Sequence, residues 1–159
     1  MQKYAYYACP YGWVEIGYED EKIVSISSKE EQKPGPNQEG VHSELSDRAF
    51  AQLSEYFEGK RRTFDLPLKL NGTKFQVAVW RALLDIPYGE TRSYQEIASA
   101  VGNPKACRAV GMANRNNPIW IVVPCHRVIG ADGRLTGYAG GVEMKRSLLE
   151  LEQKGRKRV

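Results

Sequence analysis

Ser93-Tyr94-Gln95-Glu96-Ile97-Ala98-Ser99-Ala100-Val101-Gly102-Asn103-Pro104-Lys105-Ala106-Cys107-Arg108-Ala109-Val110-Gly111-Met112-Ala113-Asn114 is the stretch that decides the fold. Ser93 and Glu96 stand three apart, as in a capping box, where each side chain satisfies one orphan N–H at a helix start. A helix is expected from there through Val101. Gly102-Asn103-Pro104 is a short turn whose proline is placed to open the next helix, from Lys105 to about Asn114. The pair has the length and turn of a helix-turn-helix. The second helix of such a motif ordinarily offers long polar side chains to the major groove, whereas this one presents Ala106, Ala109, Gly111 and Ala113. That low profile suits close approach to a shallow or narrow groove, with Arg108 as the long side chain able to reach inward. An ordinary helix pair, with the small residues at a tight internal crossing and Arg108 at the surface, fits the same pattern.

Working outward, Thr73 and Gln76 repeat the capping-box spacing after Asn71-Gly72, so a helix should run to about Asp85 and stop at Ile86-Pro87-Tyr88-Gly89. Further upstream, Tyr11 to Tyr18 and Lys22 to Ser27 are rich in β-branched and aromatic residues around Glu19-Asp20-Glu21, which reads as a hairpin. Residues 29–40 (KEEQKPGPNQEG) carry no aliphatic or aromatic side chain, so they can bury little and are expected to be a mobile loop. A helix from Ser43 to about Glu58 follows, with Leu45, Ala49, Leu53 and Tyr56/Phe57 at helical spacing and Gly59 as its stop. Residues 1–69 are therefore expected to be a small αβ domain, and residues 70–159 a second one.

A chain of 159 residues with 42% hydrophobic content can build a real core. Its apolar runs, such as Ile121-Val122-Val123, are far short of the roughly 20 residues a membrane span needs. The start has no apolar stretch of the kind a secretory signal needs, so a cytoplasmic protein is expected. Three cysteines, Cys9, Cys107 and Cys125, argue against a disulfide framework. Charge is unevenly placed: residues 1–70 carry 9 Lys/Arg against 12 Asp/Glu, and residues 71–159 carry 14 against 7. The basic second half suits a polyanionic partner and says nothing about fold.

Ile121-Val122-Val123-Pro124-Cys125-His126-Arg127-Val128-Ile129 is an apolar stretch interrupted by a thiol, an imidazole and a guanidinium. A thiol of pKa about 8.5 reacts as the thiolate, and a neighbouring base can generate it at neutral pH. His126 is one of two histidines in the chain. Adjacent side chains point apart, so His126 would reach Cys125 through a water or through a bend imposed by Pro124. A Cys-His pair by itself is a weak signal, and a buried thiol beside a hydrogen-bonded histidine is its commoner meaning.

Pro124-Cys125-His126-Arg127-Val128 resembles the signature of the O6-alkylguanine-DNA alkyltransferases, the methylated-DNA–protein-cysteine methyltransferases. Arg108-Ala109-Val110-Gly111, Asn117-Pro118 and Gly137-Tyr138-Ala139-Gly140-Gly141 are similar to that family in order and spacing. The likeness is close from Thr73 to Gln153 and holds only in outline over the first 70 residues. It implies an α+β fold: a ribonuclease-H-like αβ domain over 1–69 with the mobile loop 29–40, then a helical domain over 70–159 containing the helix-turn-helix.

The resemblance also implies direct-reversal DNA repair. The O6-alkyl group of a flipped-out guanine, and the O4-alkyl group of thymine as well, would pass irreversibly to Cys125, consuming one protein per lesion without a cofactor. His126 would act as base through a bridging water, and Glu152 would orient and charge-stabilise it. Asn117 would tie the turn between the recognition helix and the active-site segment. Arg108 would enter the base stack from a DNA-binding helix that also carries Ala109 and Gly111. Tyr94 would help rotate the nucleotide and donate to the purine, Tyr138 would flank the base, and the backbone near Ala139 would read O6. Many members have serine at the position of Ala139. The carbonyls of Cys125 and Val128 would accept from the guanine amine. Some relatives hold a structural zinc, which needs about four Cys/His ligands; the first domain offers Cys9 and His42, so no metal is expected. The implied partner is double-stranded DNA containing O6-alkylguanine, met by a monomer away from any membrane. A non-catalytic protein recognising alkylated bases is the alternative, and Cys125 argues against it.

Overall fold

The first 29 positions are rich in aromatic and β-branched residues, and they form a three-stranded antiparallel sheet in the order β1-β2-β3: β1 Lys3–Cys9, β2 Gly12–Glu19 and β3 Lys22–Lys29. The computed structural model describes residues 2–10, 12–29, 40–135 and 141–156. The expected hairpin joins β2 to β3, closing on the Glu19/Lys22 pair with Asp20 and Glu21 at φ 51° and 63°. Two consecutive positive φ values give the turn whose twist matches that of the flanking strands. Strand β1 had no counterpart in the sequence reading. Only Ala5 is buried along it, so it lacks the apolar alternation that marks a half-buried strand.

Helix α1, Glu44–Phe57, starts at Ser43, which forms a reciprocal capping box with Ser46. It buries Leu45, Ala49, Leu53 and Tyr56 and packs on β1, β2 and β3, whose Val14, Ile16, Ile23 and Ile26 complete the core. Lys29 closes β3 and Gly40 pairs with Ala5, so the segment expected to be a loop over 29–40 is narrower at both ends. Its residues 30–39 lie outside the described residues.

The chain divides into two compact units, Met1–Leu70 with Pro118–Trp120, and Asn71–Asn117 with Ile121–Val159. A linear cut at residue 70 thus misses one excursion: Ile119 bridges Ile26 in parallel, with Ile26 N–H donating to Pro118 O (2.9 Å) and Trp120 N–H to Ile26 O (3.0 Å).

The second unit is mainly helical. Helices α2 (Lys74–Leu84) and α3 (Tyr94–Ala100) begin at the expected Thr73/Gln76 and Ser93/Glu96 capping boxes, each contributing about 1 kcal/mol. Helix α4 spans Cys107–Arg115 and starts two residues later than the proline suggests. Ala106 N–H donates to Asn103 O (3.0 Å), so Pro104 occupies the second position of a four-residue turn, where its fixed φ is equally suited. A two-residue parallel pair, β4 (Arg92–Ser93) with β5 (Val128–Ile129), and the long α5 (Val142–Arg156) complete the unit. Helices α2, α3 and α4 pack on one another. Among the described residues, no helix is long and apolar enough to cross a membrane.

The buried Trp80 indole donates Nε1–H to Ala113 O (2.8 Å), satisfying a carbonyl that the end of α4 would otherwise leave orphaned. Trp80→Phe is expected to destabilise the protein by about 1–3 kcal/mol through that unpaired carbonyl and a smaller ring, read from the midpoint of chemical denaturation.

Candidate active site around Cys125

The segment leading to Cys125 folds as a series of tight turns. Ile121 adopts φ 69°, a left-handed conformation that is costly for a β-branched residue. Asn117 donates Nδ2–H to Val123 O (2.7 Å), closing the segment between them. Pro124, at φ −81° and ψ 66°, is the centre of an inverse γ-turn in which Cys125 N–H donates to Val123 O (2.8 Å). The single 3-10 turn Cys125–Arg127 follows, its end held by Val128 N–H donating to Cys125 O. Proline therefore imposes a bend immediately before the thiol. Cys125 is buried, with 5% of its surface exposed.

His126 and Glu152 are fully buried, with imidazole Nε2 2.5 Å from Glu152 Oε2. Arg127 grips the same carboxylate with both arms, Nε to Oε1 (2.9 Å) and Nη2 to Oε2 (3.1 Å), and donates Nη1–H to Ile86 O (2.6 Å). Gly89 N–H supplies a further bond to Oε1 (3.1 Å). Its positive φ of 80° suits glycine, and its carbonyl accepts from Gln153 Nε2 (2.9 Å) and Arg156 Nη1 (3.3 Å).

These contacts set the charges. Burial by itself would raise the Glu152 pKa, but the hydrogen bonds from His126 and Arg127, together with the guanidinium charge, outweigh it and hold the group at about 2. Burial lowers the His126 pKa, Glu152 opposes that, and the cations of Arg127 and Lys145 push it further down. A neutral ring beside a carboxylate, which can only accept, must carry its proton on Nε2. The Nδ1 lone pair is then the basic position of the ring. Lys145 has no exposed surface, and burial brings its pKa down to about 8 while the charge of Cys125 draws it back up. Its Nζ lies 5.8 Å from the centre of the Tyr94 ring.

His126 and Glu152 are thus brought together by the fold, Cys125 directly precedes His126 on the same turn, and Asn117 braces the segment that carries the thiol. Tyr94 is the first residue of α3 and Val128 the first of β5. Arg108 and Ala109 are exposed on α4; Gly111 is half-buried, and a Cβ added there would meet the Tyr94 ring at 3.9 Å. Tyr138 and Ala139 lie outside the described residues. The Cys125 carbonyl, expected as an acceptor for an incoming amine, already accepts from Val128 N–H and from the buried Asn114 Nδ2 (3.3 Å). Both of its lone pairs are engaged, so an amine arriving there has to displace or share one.

Arg127, Lys145 and Asn114 are site residues that the sequence reading left without a role. A signal existed for Lys145: Met144, Lys145, Leu148, Glu152 and Gly155 make one buried face of α5, in which Lys145 and Glu152 hold positions expected of apolar residues.

Fold and site together define an α+β protein with a buried thiol backed by a preorganised acid–base network. Residues 74–154 match the family described as 6-O-methylguanine DNA methyltransferase, DNA binding domain, and residues 2–70 its ribonuclease-like domain. The methylated-DNA–protein-cysteine methyltransferase of Methanosarcina acetivorans is 48% identical over 151 residues, covering 94% of this chain and 97% of that protein. That of Mycobacterium bovis is 64% identical over 105 residues, covering 66% of this chain and 64% of its own length. The crystal structure of Mycobacterium tuberculosis OGT in complex with DNA superposes with a TM-score of 0.86 at 47% identity, covering 96% of this chain and 93% of that one. This chain belongs to the methylated-DNA–protein-cysteine methyltransferase family.

Replacing Glu152 by glutamine leaves the Arg127 guanidinium buried without its counter-charge. Glu152→Gln should cost about 3–5 kcal/mol of stability at neutral pH. In the parent protein the Glu152 contribution is complete above pH 4.5 and is lost as pH falls toward about 2. The lowered His126 pKa acts in the same direction below pH 6.5, where the unfolded ring takes up a proton that the folded one resists. Denaturation followed across pH should therefore show a smaller loss of stability between pH 4.5 and 2 in the variant than in the parent, by the share that Glu152 contributes.

Proposed function

We infer that this chain repairs DNA by direct reversal, taking the alkyl group from O6 of guanine onto Cys125. The observation that carries this reading is the buried Cys125, held on a rigid turn beside His126 and the anionic Glu152, with the Lys145 ammonium close enough to feel its charge. The Cys125 thiol passes its proton to His126 Nδ1 through a bridging water, and Glu152 stabilises the imidazolium that forms. Lys145 favours the resulting thiolate. The sulfur attacks the O6-bound carbon in line, so a C–S bond forms as the C–O bond breaks. The released electron pair stays on the purine, which takes up a proton through Tyr94 or His126. Guanine is restored and the thioether has no base able to reverse it, so each molecule acts once and needs no cofactor.

The lesion reaches the thiol only if its nucleotide leaves the duplex, at a cost of a few kcal/mol. Helices α3 and α4 act as the helix-turn-helix, α4 lies in the groove, and Arg108 fills the stack that the guanine vacates, with Ala109 allowing close approach. Asn117 keeps the thiol segment in register with α4, and Val128 offers a carbonyl to the amine of the base. O4-alkylthymine presents a similar alkyl-oxygen target and is a second substrate. The protein works as a cytoplasmic monomer.

Incubation with excess duplex carrying O6-methylguanine should add one methyl group per chain, all of it on the peptide containing Cys125, and Cys125→Ala should abolish it. Repeated clearance by an unmodified chain, an untouched lesion, or methyl on Cys9 or Cys107 would overturn the reading.

Arg108→Ala should slow reaction with duplex O6-methylguanine about tenfold to a hundredfold, because the gap left by flipping goes unfilled. Reaction with the free base O6-benzylguanine should change little. Equal losses on both would remove Arg108 from this role.

A further inference from the structure

Helix α4 has a sharply divided surface. Val110, Ala113 and Asn114 are buried, and Arg108, Ala109, Met112 and Arg115 are exposed. Residues 108, 112 and 115 follow the i, i+4, i+7 spacing of a single helical line, and helical side chains lean toward the N-terminus, so Met112 covers the turn that carries Arg108. With 60% of its surface exposed, Met112 is the most exposed large hydrophobic side chain among the described residues. Neither Arg108 nor Arg115 makes an ion pair among the described residues. An apolar side chain therefore stands between two uncompensated cations on the face that the proposed function turns toward DNA.

The exposed line lacks the Asn, Gln, Ser, Thr or Glu side chains that read the major groove's donor and acceptor pattern. Arginine beside an unbranched apolar residue is instead the pairing found in minor-groove binding, where arginines track the phosphates and groove width and apolar wedges press against the base steps. Methionine suits a surface whose detail varies from site to site, since its flexible, polarizable thioether adapts to different contours.

We propose that Met112 is a DNA-contacting wedge: it packs against the sugar and base walls of the minor groove one helical turn from Arg108, and holds the duplex open where Arg108 enters. The proposal rests on the alkyl-transfer reading, and it assigns to Met112 an apolar, sequence-tolerant share of duplex binding that counter-ions do not modulate. Arg115 supplies the ionic share on the same line.

Met112 is exposed, so Met112→Ala leaves the core untouched. The rate of Cys125 methylation by duplex O6-methylguanine is expected to fall about five- to tenfold, with reaction toward free O6-benzylguanine unchanged. The slope of log affinity for undamaged duplex against log salt should also be unchanged, whereas Arg115→Ala should reduce that slope by about one. A duplex rate within about twofold of the parent overturns the proposal, as does an equal loss on the free base or a salt slope altered by Met112→Ala itself. If the parent protein fails to take methyl from either substrate, the alkyl-transfer reading itself fails, a result separable from any outcome for Met112.

Discussion

The second unit is organised around one buried carboxylate. Glu152 receives hydrogen bonds from His126, from both arms of Arg127 and from Gly89 N–H. Those donors come from the turn after α2 and from the thiol-bearing turn, while the acceptor is on α5. A carboxylate taken out of water is tolerated only when its oxygens are fully occupied, and an incomplete set is worse than none. The three segments therefore assemble together. Gln153 and Arg156, on the same helix, bind the Gly89 carbonyl and fix the register of α5 on that turn. Cys125 inherits its position from this arrangement, because its immediate neighbours, His126 and Arg127, are the residues that Glu152 holds.

What could be read from the sequence was whatever depends on nearby residues. The capping pairs Thr73/Gln76 and Ser93/Glu96 fix helix starts through groups three positions apart, and the apolar spacing of α1 needs only its own fourteen residues. The β2–β3 hairpin is similarly local. Strand β1 was not legible because it is held by backbone pairing to β2 and buries little beyond Ala5. The start of α4 turned on whether Pro104 opens a helix or sits inside a turn, and its ring geometry serves both. In the site, the string around Cys125 and its family likeness pointed to His126 and Glu152. Of the partners that decide their ionisation, Lys145 stands out only once the apolar face of α5 is traced around it, and nothing local announces that Arg127 turns inward.

The charges of the site form a compensated set. Arg127 and Lys145 are the cations and Glu152 an anion, to which the proposed reaction adds the Cys125 thiolate, and in the resting site His126 is neutral because burial and two nearby cations oppose its protonation. In the proposed reaction two sources favour the thiolate: the imidazole takes up its proton, and the ammonium of Lys145 stabilises what remains. Alkylation converts one anion into a neutral thioether. Lys145 then loses the charge that drew its pKa upward, while its burial is unchanged, so the alkylated site holds the ammonium less well than the thiolate site does.

Helix α4 couples this interior to the outside through opposite faces of nine residues. On the inner face, Ala113 accepts from Trp80 and Asn114 donates to the Cys125 carbonyl, so the position of the helix and that of the thiol backbone are linked by direct hydrogen bonds. On the outer face stand Arg108, Met112 and Arg115. The small residue at Gly111 serves a related end, since it faces Tyr94 at ordinary contact distance and lets α3 and α4 stay close without a bulky side chain between them. In the proposed function, placement of the duplex and placement of the sulfur are consequently one geometric problem, met by the same short helix rather than by two separate devices.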